Sequence, residues 1–80
     1  MYNQKLIALA RMQPGETGMV AQFLGGRGMA NRLSALGIRP GKRVTKVSSM
    51  LMRGPVTIEV DRVQIAIGFG MANKVIVDLG

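Results

Sequence analysis

Glycine and proline interrupt this sequence too often for any long element to form. Turn chemistry recurs at Pro14-Gly15, at Gly25-Gly26-Arg27-Gly28, at Gly37, at Pro40-Gly41, at Asp61-Arg62 and at Gly68-Phe69-Gly70. Between these breaks the apolar residues mostly follow strand spacing. Val56, Ile58 and Val60 alternate with Thr57 and Glu59, and Val63, Ile65 and Ile67 repeat the pattern after the Asp61-Arg62 turn. Strands are predicted over 17–24, 42–48, 55–60, 63–67 and 75–79. One segment has a different period: Met29, Leu33 and Leu36 fall at i, i+4, i+7, which predicts one short helix over 29–36 with those residues on one face, and Leu33, Leu36 and Ile38 are expected in the core or in helix packing. Gly37 stands where a left-handed C-terminal cap wants glycine, so that Ile38 can pack back over the last turn. Residues 1–12 are partly apolar and are assigned no element.

Five short strands in 80 residues leave room for one compact unit, a single domain over 1–80. They are too few to stack as two sheets around a sizeable core. The economical solution is a mainly β fold, a small five-stranded barrel with the helix between its first and second strands. The hexapeptides Gly28-Met29-Ala30-Asn31-Arg32-Leu33 and Gly70-Met71-Ala72-Asn73-Lys74-Val75 echo one another. Their spacing differs from that of the two Pro-Gly turns, so no single period relates them and the echo is read as coincidence.

Cys and His are both absent. No disulfide, thiolate nucleophile, imidazole base or zinc ribbon is available, and four carboxylates remain for any acid–base or metal work. Glu59 and Asp61 lie two apart, but Asp61 is placed at a turn and neither has a partner base. These functional groups argue against an enzyme and against a resident cofactor or metal. No run of apolar residues is long enough to span a bilayer, and the short apolar stretch near the N-terminus is closed by Arg11. The expectation is a cytoplasmic protein without membrane insertion.

The formal net charge is +7, and it is unevenly spread. Arg27, Arg32, Arg39, Lys42, Arg43, Lys46 and Arg53 fall between Glu16 and Glu59, a stretch with no acidic residue. Elsewhere Lys5, Arg11, Arg62 and Lys74 balance Glu16, Glu59, Asp61 and Asp78. A cationic segment of this kind attracts an anionic surface, which can be nucleic acid, an acidic protein or a membrane leaflet. Against nucleic acid, Tyr2, Phe23 and Phe69 are too few and too dispersed to stack bases. Gly25-Gly26-Arg27-Gly28 before a helix invites a phosphate-loop reading, but it lacks the Lys-Ser/Thr pair and the dinucleotide glycine spacing. Met50, Leu51 and Met52 are unusual in a hairpin tip, where polar residues are the rule. They either fold back over the barrel or offer an adaptable patch. The candidate partner-binding residues are therefore Arg27, Arg32, Arg39, Lys42, Arg43, Lys46, Met50, Leu51, Met52 and Arg53.

The order of features narrows this further. Leu9, Met12 and Pro14-Gly15-Glu16 lead to Arg32-Leu33-x-x-Leu36-Gly37-Ile38-x-Pro40-Gly41, then Gly54-Pro55-Val56, Ile65-Ala66-Ile67 and Val75-Ile76-Val77. From Leu9 to Val77 the chain resembles the ferrous-iron transport protein A (FeoA) family, small Src-homology-3-like barrels encoded with a membrane-bound ferrous-iron transporter that carries a G-protein domain. The same module is similar to the C-terminal domain of iron- and manganese-dependent repressors, without room for their DNA-binding part. The resemblance implies a cytoplasmic accessory of bacterial or archaeal ferrous-iron uptake, from a family associated with transition-metal ions. It implies as partner the cytoplasmic domain of an FeoB-type transporter. Fe(II) prefers imidazole and oxygen ligands, whereas this chain has no His and few, scattered carboxylates. Contact with a protein is thus expected, rather than storage of the ion.

Overall fold

The computed structural model describes residues 5–49 and 54–80. All five expected strands form, and a sixth precedes them. The strands are β1 (Leu6–Ala8), β2 (Thr17–Phe23), β3 (Arg43–Ser49), β4 (Val56–Val60), β5 (Val63–Ile67) and β6 (Val75–Asp78). They make one antiparallel sheet in the order β1-β6-β2-β3-β4-β5. β1 has only three residues, too few to display an alternation, and it exists because it pairs along β6 from Leu6↔Asp78 to Ala8↔Ile76. A 3₁₀ turn (Leu9–Arg11) follows it directly.

Two register shifts bend the sheet, one in β2 between Val20 and Gln22 and one in β3 between Lys46 and Ser48. Each bulge adds a residue to one strand and increases its local twist, which curls a small sheet around a single core. That core comprises Leu9, Met12, Val20, Leu33, Ile38, Val44, Val56, Ile58, Val60, Ile67, Ala72, Val75 and Val77. β4 buries Val56, Ile58 and Val60 and leaves Thr57 and Glu59 half-exposed, as the alternation requires. Asp61 and Arg62 close the β4–β5 hairpin with φ of 52° and 68°, the left-handed pair that a two-residue loop needs to match strand twist.

Helix α1 (Arg27–Ala35) ends as its sequence predicts. Gly37 has φ of 89° and donates its N–H to Ser34 O at 2.9 Å, while Ile38 N–H donates to Leu33 O at 2.9 Å. This is the paired Schellman cap, with Leu33 and Ile38 both fully buried over it. Leu36, by contrast, is 41% exposed. It is the C-cap residue, where the chain is already leaving the helix, so its heptad-like spacing no longer aims it at the core.

The echoed hexapeptides prove to be one local structure used twice. Gly26 caps α1, with Ala30 N–H donating to Gly26 O at 3.2 Å; Gly68 caps a second helix, α2 (Phe69–Ala72), with Ala72 N–H donating to Gly68 O at 2.9 Å. Reading the echo as coincidence is therefore corrected. The glycines mark helix starts, because first-turn N–H groups have no intrahelical partner and lose little to a flexible backbone. The copies diverge after asparagine. Leu33-Ser34-Ala35 continues α1, whereas Val75-Ile76-Val77 is β-branched and is taken into the sheet beside β2.

Gly18 explains how tightly β6 crosses β2. A Cβ built there would meet the Val77 side chain and lie 2.8 Å from Asp78 O. Only a residue with no side chain lets the two strands approach so closely.

Candidate functional site

The cations singled out in the sequence do not share one environment. Arg27 and Arg32 are exposed on α1, Arg39 is exposed in the connection to β3, and Arg43 is exposed at the start of β3. Five positions apart on a helix, Arg27 and Arg32 project roughly 140° from one another. On the outer face of the sheet the paired residues Leu6, Asp78, Met19 and Arg43 form one row across β1, β6, β2 and β3. Leu6 and Met19 are 50% and 44% exposed, with Asp78 between them, so Arg43 stands beside exposed Met19 in a row of mixed polarity. None of these four arginines is in a salt bridge with a described residue. Met50, Leu51, Met52 and Arg53 lie outside the described residues.

Lys42 is not unpaired as the sequence suggested. Its Nζ donates to Asp61 Oδ2 at 2.7 Å, tying the loop before β3 to the tip of the β4–β5 hairpin. The pair is substantially solvent-exposed, so solvent and salt screen it and it adds little to stability. Its consequence here is that one cation and the Asp61 carboxylate are already committed to each other. Glu59 meanwhile sits on the outer face of β4, opposite Thr45 and Gln64. Among the described residues no three carboxylates come together as a metal site.

Lys46 requires a larger correction. Expected on the cationic surface, it is 1% exposed and faces the core opposite Ile58. Its ammonium donates to three main-chain carbonyls: Met12 O at 2.7 Å, Ala10 O at 3.2 Å and Leu9 O at 3.3 Å. These oxygens belong to the 3₁₀ turn and the residue after it, and Leu9 O also accepts from Met12 N–H at 3.2 Å. A buried cation must be hydrogen-bonded to be tolerated, and this one is. The main chain of Lys46 binds the same segment, since Gly15 N–H donates to its O at 2.7 Å and its N–H donates to Glu16 O at 2.9 Å. One residue thereby fastens 9–16 to the barrel. The parity of β3 held the signal, because Lys46 shares the inward register of Val44.

Burial lowers the Lys46 pKa below the ordinary lysine value, and the Glu16 carboxylate opposes that fall. The folded state thus holds this proton less tightly than the unfolded chain does. The cost of burying the charge is fully present below the folded-state pKa, and it is relieved as pH rises from there to the unfolded value. In urea unfolding, the stability of the wild type relative to Lys46→Met is expected to rise with pH across that alkaline window. A difference that falls or stays flat would contradict the sign.

With the fold and these positions established, comparison with known proteins identifies the family. The FeoA domain family matches residues 7–79. The chain belongs to the FeoA family. It is 35% identical to a solved iron uptake regulatory protein (FeoA), over 92% of this chain and 97% of that one, with a TM-score of 0.87. Stenotrophomonas maltophilia FeoA complexed with zinc, described as a procaryotic SH3 domain protein, is 22% identical over 90% of this chain and 89% of its own, with a TM-score of 0.76; it bears on the fold alone. A manganese-dependent transcriptional repressor is 19% identical with a TM-score of 0.86, and this FeoA-family chain spans 43% of its length. The expected likeness to one domain of such repressors therefore holds at the level of fold. No curated protein sequence matches the chain. Membership places it among the accessory proteins of ferrous-iron transport. No helix among the described residues is long and apolar enough to cross a membrane.

Proposed function

We propose that this FeoA-family protein serves ferrous-iron uptake by docking, in the cytoplasm, on the cytoplasmic domain of the ferrous-iron membrane transporter. The observation that carries the reading is the set of exposed arginines with no salt-bridge partner among the described residues, Arg27, Arg32, Arg39 and Arg43, on a chain of net charge +7. Planar guanidinium groups spread over α1, the connection after it and the start of β3 suit an extended acidic protein face, which each can grip with two parallel hydrogen bonds. Lys42, shared with Asp61, contributes less, and buried Lys46 leaves the surface altogether. Exposed Met19, paired opposite Arg43, gives such a face apolar surface to bury. Phe23 packs against the core, so it is not free to stack a nucleobase.

The reading is tested by titrating the transporter's purified cytoplasmic domain with this protein. Saturable binding is expected, weakening as salt rises because screening acts on the steering charges. Replacing Arg27, Arg32, Arg39 and Arg43 together by Gln is expected to raise Kd by roughly tenfold or more while leaving the urea midpoint unchanged. Absence of binding removes the docking, and binding indifferent to salt and to the four substitutions removes the arginines from it.

A further inference from the structure

Lys46 is the largest fully buried side chain among the described residues, and a docking surface has no use for it. What surrounds its ammonium is a donor set in its own right. Three carbonyl oxygens, from Leu9, Ala10 and Met12, converge on one point at 2.7 to 3.3 Å. Their dipoles all present the negative end, since they belong to a helical turn and to the residue that follows it. Carbonyls converging at such separations are the means by which proteins replace the hydration shell of a monovalent cation.

The cage does not depend on the lysine stem for its shape. Met12 N–H donates to Leu9 O at 3.2 Å, closing the turn on itself, and the Leu9 and Met12 side chains are 0% and 3% exposed in the core. The segment is further tied to β3 through the main chain of residue 46, by the Gly15 N–H and Glu16 O contacts described above, and to β6 through β1. These bonds are made by the main chain of residue 46 and not by its side chain.

We propose that residues 9–12 form a preorganised site for a primary ammonium ion, and that Lys46 occupies it as a tethered ligand. Truncating the tether leaves a site for a free ligand of the same class. Alanine retains Cβ, so the missing atoms are three methylenes and an ammonium, which together are n-propylammonium. The stem channel accounts for the alkyl part, lined by the core that now covers Lys46, and the three carbonyls account for the charge.

The experiment follows the thermal midpoint of Lys46→Ala at constant ionic strength with three probes. These are n-propylammonium, tetramethylammonium, which carries the charge but no N–H, and n-propanol, which carries the stem but no charge. n-Propylammonium alone is expected to raise the midpoint saturably, by roughly 6 to 11 °C at ten times its Kd. Wild-type protein and Lys46→Met, whose stem channels are filled, are expected not to respond. If Lys46→Ala is unfolded in buffer, recovery of its circular dichroism on adding n-propylammonium replaces the midpoint as readout, with Lys46→Ser measured in parallel. The proposal is overturned if neither variant responds, if tetramethylammonium or n-propanol serves equally well, or if Lys46→Met responds like the truncated chain.

Discussion

Gly18→Ala is expected to destabilise the protein by roughly 3 kcal/mol, the upper part of the range for forcing atoms into a packed site. The added Cβ would meet the Val77 side chain and come within 2.8 Å of Asp78 O. Val77 is β-branched and fully buried, so it has little room to turn away, and a strand oxygen has none. β6 is held on both flanks, by β1 from Leu6 to Ala8 and by β2 from Met19 to Phe23, so it has no free direction in which to retreat. An 80-residue domain has a total stability of roughly 4 to 12 kcal/mol, so the loss is a large share of the whole. Urea unfolding measures it as a lowered midpoint with an unchanged slope. A loss below about 1 kcal/mol would mean that β6 shifts freely over β2, contrary to the packing described.

The second large effect is at Lys46. Methionine matches the length and flexibility of the stem and removes only the ammonium. Two terms then compete. Removing the charge relieves its desolvation, the cause that lowers its pKa. Against this, Ala10 O and Met12 O lose the donor that Lys46 Nζ supplies, at 3.2 and 2.7 Å. A hydrogen bond from a charged donor is worth about 1.5 to 3 kcal/mol, and a buried acceptor left alone bears its own desolvation cost. The acceptor term wins because more than one carbonyl is stranded, and Lys46→Met is expected to lose about 2 kcal/mol. Hydrogen exchange should locate the loss, with protection falling at Gly15 and Lys46 amides before it falls in β4 and β5. A variant as stable as the wild type would show that the hydrogen bonds from the buried ammonium to the carbonyls contribute nothing net.

These two positions also show what the chain discloses before folding and what it does not. Short-range chemistry was legible. Gly37 and Ile38 announce the α1 cap, and Val56, Ile58 and Val60 announce a half-buried strand, because each signal is complete within a few residues. β1 was not legible, since three residues carry no period and it forms only because β6 offers an edge. The Lys42–Asp61 pair joins residues 19 positions apart, and nothing local to either indicates it. Gly18 reads as an ordinary strand glycine until β6 is laid beside it. Lys46 was misassigned by charge, although its parity with Val44 pointed inward.

The same distinction separates the two halves of the functional reading. The shortage of ligating and proton-moving side chains is a property of composition, visible without a fold, and the fold adds that the carboxylates are dispersed, with Glu16 before β2, Glu59 on β4, Asp61 in the β4–β5 turn and Asp78 on β6. Glu16 accepts from Gln13 N–H at 2.7 Å, Asp61 is paired with Lys42 and Asp78 accepts from Gly80 N–H at 2.9 Å, so three of them already have partners within the chain. Which cations face solvent, by contrast, is a property of the fold alone. It retains Arg27, Arg32, Arg39 and Arg43 and removes Lys46.

Surface recognition without ion capture is the claim on which the account stands, and an anaerobic calorimetric titration of the isolated protein with ferrous ion tests it most directly. The account predicts no stoichiometric binding at micromolar protein, because oxygen donors scattered on a cationic chain do not hold Fe(II) tightly. One ferrous ion bound per chain with a submicromolar Kd would contradict it.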